Sequence, residues 1–269
     1  MKKLILCAVL VGLSTAGIAQ EKKVKAGLGY QFGMNFNKPG TKNIERNGVG
    51  VQNSLGLNLQ FGFSGNLSLA TGLEFDFESF KYGIVTKLPT YYSFSDTDIQ
   101  KFEDLDTTNS IFQLAERKYK NTFVTVPLML MFETNPIGDF VYYGKFGART
   151  SFLLKSTMND SGTLYNDGDL TKPTPSENNE MRTPYGNDLF IFRTTVGLAG
   201  GAQWNFTGNT NMFAELGFYY GVTPVHVGGS NQENMTLFTY DVANPTAGAE
   251  YYRFKASQSQ LCLKIGILF

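Results

Sequence analysis

The chain has 269 residues, 14% of them aromatic and 17% charged, with 29 glycines and a formal net charge of zero. One all-β barrel of this size is ordinary as a single domain, and the glycine and aromatic content points to many short strands rather than to a helical or disordered chain. A balanced charge without a Lys/Arg block excludes nucleic acid as a partner.

In chain order the first element is MKKLILCAVLVGLSTAGIAQ, with Lys2 and Lys3, an apolar run from Leu4 to Leu13, and the small residues Gly17 and Ala19. This pattern predicts a signal peptide over residues 1–19, cleaved after Ala19, and a mature domain over 20–269. The apolar run is shorter than the ~20 residues a spanning helix needs, and Cys7 sits too early in it for a lipoprotein site. The mature chain then carries one cysteine, Cys262, and no intramolecular disulfide. No later segment is apolar enough to cross a bilayer as a helix. An exported chain of this kind is secreted, periplasmic or a transmembrane β-barrel.

The next stretches alternate with period 2, as lipid-facing and lumen-facing positions do. In the first, Val24, Ala26, Leu28, Tyr30, Phe32, Met34 and Phe36 alternate with polar or tiny residues. The second does the same over 49–63, from Val49 to Phe63. A third runs from Leu67 to about Tyr82, with Leu69, Leu73, Phe75 and Phe77 outward and Glu74, Asp76 and Glu78 inward. The fourth is FVTVPLMLMF, the fifth FVYYGKFGARTSFLLK, the sixth LFIFRTTVGLAGGAQWNF, the seventh NMFAELGFYYGV, and the eighth spans about Tyr251 to Phe269. An even number of strands is what a closed bacterial barrel requires.

Connections alternate between short (SGN, ETNPIGD, TGNT) and long (about 37–48, 83–118, 157–188 and 223–250). The fold class is therefore all-β: an eight-stranded antiparallel transmembrane β-barrel with long extracellular loops and short periplasmic turns. Aromatic residues should gather at both membrane interfaces. With both termini periplasmic, Phe61, Phe63, Phe132, Phe140, Tyr142, Trp204, Phe206 and Phe269 fall at the turn end. Phe36, Phe75, Phe77, Phe152, Phe190, Phe192, Phe218 and Tyr220 fall at the loop end.

The stretches TVPLMLMF, VYYGKFGARTSFLL, AELGFYYGVTP and LKIGILF together resemble the PorT-like outer-membrane β-barrel family of Bacteroidetes. The resemblance covers about residues 24–269. It implies eight strands, an outer-membrane location and, for the family's namesake, a role in type IX protein secretion and gliding. By likeness to outer-membrane proteins, the closing strand with Leu261, Leu263, Ile265, Ile267 and the terminal Phe269 looks like the signal read by the barrel assembly machinery. Expected partners are that machinery, outer-membrane lipid, and envelope or secretion-system proteins.

Eight strands enclose an interior just wide enough for side chains. Its predicted charges are Glu74, Asp76, Glu78, Lys145, Arg149, Arg193, Glu215 and Lys264, nearly matched in sign. Buried charges must be paired, so a salt-bridged plug is expected, with a proton or ion path or a small-ligand site as the alternative. His226, the one histidine, falls in the fourth loop. A surface enzyme would need it oriented by a carboxylate, and no spacing in the loops selects one, so it reads as an ordinary loop histidine. One histidine and one mature cysteine argue against a metal site. NDSGTLYNDGDL does not match a calcium loop and reads as a solvated turn. The aromatics Tyr91, Tyr92, Phe94, Phe102 and Phe112 in the second long loop suggest either a cap packed over the barrel mouth or a contact surface. DIQKFEDL and SIFQLAERKYK there read as short helices. No catalytic residue, cofactor or metal is expected; the role is structural or interactive, with a narrow pore, a ligand carrier or a His226 enzyme as alternatives.

Overall fold

The computed structural model describes residues 24–85, 89–101, 110–166, 172–182, 188–208, 210–226, 235–240 and 248–269. The predicted signal peptide lies outside them. Among the described residues fourteen strands form one antiparallel sheet. They are β1 (Val24–Pro39), β2 (Ile44–Arg46), β3 (Gly50–Ser64), β4 (Leu67–Ile84), β5 (Thr90–Ser95), β6 (Asp98–Ile99) and β7 (Ser110–Glu133). After them come β8 (Phe140–Tyr165), β9 (Pro173–Met181), β10 (Phe192–Thr207), β11 (Thr210–Gly221), β12 (Leu237–Tyr240), β13 (Ala249–Tyr252) and β14 (Ala256–Leu268).

Eight of these pair in a ring in the order β1, β3, β4, β7, β8, β10, β11, β14 and back to β1. The last strand pairs with the first from Gly27 opposite Leu268 to Pro39 opposite Ala256, so the edge left by β14 is covered by β1. That pairing explains the regular apolar ending of the chain: Leu263, Ile265, Ile267 and Phe269 are exposed on the outer face, while Cys262, Lys264 and Leu268 are buried within. The same alternation holds around the ring, with Leu28, Leu57, Phe75, Leu128, Phe146, Leu198 and Leu216 outward. An apolar outside around a polar inside is stable in hydrocarbon, not in water. Both aromatic groups include rings exposed outward at their ends, among them Trp204 and Phe206 at the turn end and Phe77 and Phe192 at the loop end.

At the turn end the β3–β4 connection is a two-residue hairpin from Ser64 to Leu67. Gly65 takes a φ of 40° there, a left-handed conformation that the twist of the strands demands and glycine adopts without steric cost. At the loop end the outcome differs from expectation. Strands β7 and β8 have 24 and 26 residues, whereas 9–11 suffice to cross a bilayer. Their outer halves rise beyond the apolar belt and carry β5, β6, β9, β12 and β13 as a sheet extension.

SIFQLAERKYK is therefore strand, not helix. Phe112 and Leu114, paired with β5 and β8, then Arg117 and Tyr119 beyond a bulge, paired with β4 and β8, alternate inward. Tertiary pairing on both edges overrides the local preference of Leu, Ala, Glu and Lys for helix. DIQKFEDL begins as β6 and then leaves the described residues. Leu189 lies outside the sixth strand in a bridge with His226, and 249–252 form a strand separate from β14.

Candidate functional site

The interior is built in layers. At mid-height Glu74 accepts from Arg149 Nη2 at 2.7 Å and from Lys264 Nζ at 2.6 Å. These residues sit on β4, β8 and β14, none of them neighbours in the ring, so the two ion pairs cross the lumen. Arg149 also approaches Asp76 at 3.8 Å, packs over the Tyr219 ring at 4.8 Å and lies 4.0 Å from Cys262 Sγ. Asp76 accepts from Thr125 Oγ1 at 2.7 Å. Lys145 binds Glu215 at 2.5 Å between β8 and β11. Nearer the loops, Arg193 binds Glu78 at 3.0 Å and lies over Phe123. Thus all eight lumen residues picked from the sequence meet in ion pairs. Sequence reasoning did not choose Asn58, which accepts from Lys264, or the glutamine layer Gln52, Gln258 and Gln260 above it. Their inward phase in the strands is the signal that marks them.

The ionised groups here are almost fully buried, Glu74 at 2% and Arg149 at 3% exposure. The polar cavity they share holds about 30 Å³, room for one or two waters. Tyr143, Met129 and Met131 close the section toward the turn end. Chemically the arrangement fills and braces the tube, and it opposes a hydrated ion.

Above the lumen is a second centre, on elements read from the sequence as solvated loops. His226 is 1% exposed, with Nδ1 at 2.7 Å from Asp188 Oδ1 and Nε2 at 3.3 Å from the Tyr82 hydroxyl. Tyr119 donates to the other Asp188 oxygen at 2.7 Å. The Phe254 ring stacks on the imidazole at 3.9 Å between centroids. The expectation of an ordinary loop histidine is corrected: the ring joins the third and fourth long connections to β4 and β7 inside an apolar cluster. No short-range spacing links residues 188 and 226; the bridge of Leu189 with His226 and the Phe190 N–H donating to the Val225 carbonyl bring them together.

Asp160 is corrected likewise. It lies within β8, not in a solvated turn, and Arg117 grips it through Nε at 2.9 Å and Nη2 at 2.8 Å, both side chains buried. Asp167 and Asp169 lie outside the described residues. Tyr91, Tyr92 and Phe112 are buried, so these aromatics pack on the barrel mouth as a cap; Phe102 lies outside the described residues. Among the described residues no group of histidine, cysteine and carboxylates could hold a metal.

Burial alone would raise the Asp188 carboxyl. The His226 ring beside it, then Arg117 and the Tyr119 hydroxyl, instead hold it below the usual 3.8. A depressed carboxyl pKa contributes stability that is complete above the unfolded value and is lost as pH falls through the folded one. Acidification from pH 4 downward is thus expected to loosen the cap around Asp188. Amide hydrogen exchange at Leu189 and His226 should accelerate across that window, and the Asp188→Asn variant should show a flat profile there.

A closed ring of eight strands with an apolar outer face and an ion-paired interior defines a membrane-spanning β-barrel with a filled lumen. The sequence matches the outer membrane protein beta-barrel domain family over residues 18–227. The chain belongs to that family, and its place is the outer membrane. No curated protein matches the sequence.

Among solved structures, Neisserial surface protein A is similar at 9% identity and a TM-score of 0.31, over 91% of this chain and 99% of that one. Ail, the attachment invasion locus protein of Yersinia pestis, is similar at 12% identity and 0.30, over 92% and 99%. The outer membrane protease OmpT of Escherichia coli is similar at 10% identity and 0.35, over 94% and 99%.

Proposed function

We propose that this protein is a sealed outer-membrane anchor that displays a rigid loop-end assembly to other components of the cell envelope. The observation that carries the reading is the set of ion pairs across the lumen: Glu74 with Arg149 and Lys264, Glu78 with Arg193, Glu215 with Lys145. A pore or carrier needs space that these side chains occupy. An enzyme acting through His226 needs the imidazole within reach of substrate, and here it is enclosed by Phe80, Tyr82, Tyr119 and Phe254. Catalysis is therefore not part of the reading.

The finer identity follows the sequence resemblance: a PorT-like barrel of Bacteroidetes, exported by the signal peptide over 1–19 and folded by the assembly machinery through the closing strand. On this reading it serves as an accessory to protein secretion. Two measurements test it. Purified barrel in a planar bilayer should give no stepwise conductance; steady ion-sized openings would overturn the sealed lumen. Crosslinked host cells expressing the protein with a tag in 167–171 should yield secretion-system components in its purification. Recovery of lipid and assembly factors alone would remove the secretion role.

A further inference from the structure

At the loop end, just above the apolar belt, strands β4, β7 and β8 carry four outward lysines. Lys81 lies directly opposite Lys118, Ser79 opposite Lys120, and Thr122 opposite Lys155. Below them the outward residues are Phe75, Phe77 and Phe152, all more than 40% exposed. Like charges directly opposite on a sheet repel. One carboxylate answers the cluster: Glu116 binds Lys81 at 2.7 Å. Lys118, Lys120 and Lys155 have no carboxylate within ion-pair distance among the described residues.

Lys120 and Lys155 border a depression of about 450 Å³ lined also by Ser79 and Thr122, with Val51 beside Ser79 and Phe77 on the membrane side. Two acids also line it: Glu180, and Glu78, whose carboxylate is paired inward with Arg193. The opposite rim differs. Among the described residues its one lysine, Lys25, turns inward to Gln203 and Glu133. Unpaired cations thus gather on this flank at one boundary of the bilayer, beside an apolar wall and above aromatic rings.

We infer that this flank is a docking site for an anionic lipid of the leaflet at the loop end, with its phosphate held by Lys118, Lys120 and Lys155 and its chains along Val51 and Phe77. Lysines near an anionic membrane surface each contribute about 1 kcal/mol, about fivefold in affinity. Hydroxyls of Ser79 and Thr122 can donate to the phosphate oxygens. Lys81 stays with Glu116 and sets the edge of the site.

The test is native mass spectrometry of the full mature chain in a neutral detergent, titrated with phosphatidylglycerol. Retained lipid is expected to fall at least tenfold in the Lys118→Gln, Lys120→Gln, Lys155→Gln triple variant and to rise in Glu180→Gln. These are surface positions, so the folded barrel should be unchanged by circular dichroism. Unchanged retention in the triple variant overturns the inference. So does equal retention of phosphatidylcholine, which would reduce the site to an apolar groove. Full competition by inorganic phosphate at the same concentration would assign it to a free anion and also overturn it.

Discussion

Replacing Arg149 by alanine is expected to produce the largest loss of barrel stability of any single lumen substitution, about 3–5 kcal/mol, because it strands buried charge. The guanidinium stands 2.7 Å from Glu74 and 3.8 Å from Asp76 and covers the Tyr219 ring. Without it Glu74 retains Lys264, but Asp76 keeps, among the described residues, the hydroxyl of Thr125 as its side-chain partner. The urea midpoint of the purified barrel, followed by circular dichroism, measures the loss. The Arg149→Lys variant, which keeps the charge and loses the planar fork, should fall between the two. The space vacated also joins the polar cavity beside Lys145 and Glu215, so the alanine variant should admit ions where the parent does not. An unchanged midpoint would mean that water already solvates these carboxylates, and the sealed-lumen reading would fall with it.

The parts of this molecule that were legible in the sequence are those governed by period 2. Lipid outside and ion pairs inside force every second residue to one solvent, so the eight ring strands and their inward charges could be read from phase alone. Pairing partners were not legible in the same way, since Glu74 meets Lys264 across 190 residues of chain through closure of the ring. The loop end was misread for a different reason. Its inward face is packed with Tyr82, Tyr92, Phe112 and Tyr119 rather than with charges, and in SIFQLAERKYK a bulge between Leu114 and Glu116 breaks the phase. Residues that favour helix then dominated the local reading, while the pairing that overrules them comes from β4, β5 and β8, outside the stretch itself. His226 and Asp188 show the same limit: each sits in a polar, turn-rich stretch, and the apolar shell that buries them is supplied by other elements.

The Arg117–Asp160 pair supports the sharpest double substitution. Both groups are withdrawn from water in the outer halves of β7 and β8, with Nε and Nη2 of the arginine on one carboxylate and the guanidinium 5.2 Å from the centre of the Tyr92 ring. Burial would lower the Arg117 pKa, yet Asp160 beside it and then Tyr119 push it well above its ordinary value. It therefore stays charged, and removing one partner leaves the other buried without its counter-charge and its hydrogen bonds. Arg117→Leu alone should cost about 3–5 kcal/mol of cap stability, read as faster amide exchange over 110–121 and 156–165, while the membrane-spanning halves of the same strands stay protected. Adding Asp160→Leu removes the stranded charge as well, and a buried ion pair exchanged for apolar side chains of similar volume is often close to neutral. The double variant should consequently exchange nearly as slowly as the parent. If it instead matched the single variant, the pair would be holding the cap through its directional hydrogen bonds rather than through the cost of an unpaired charge.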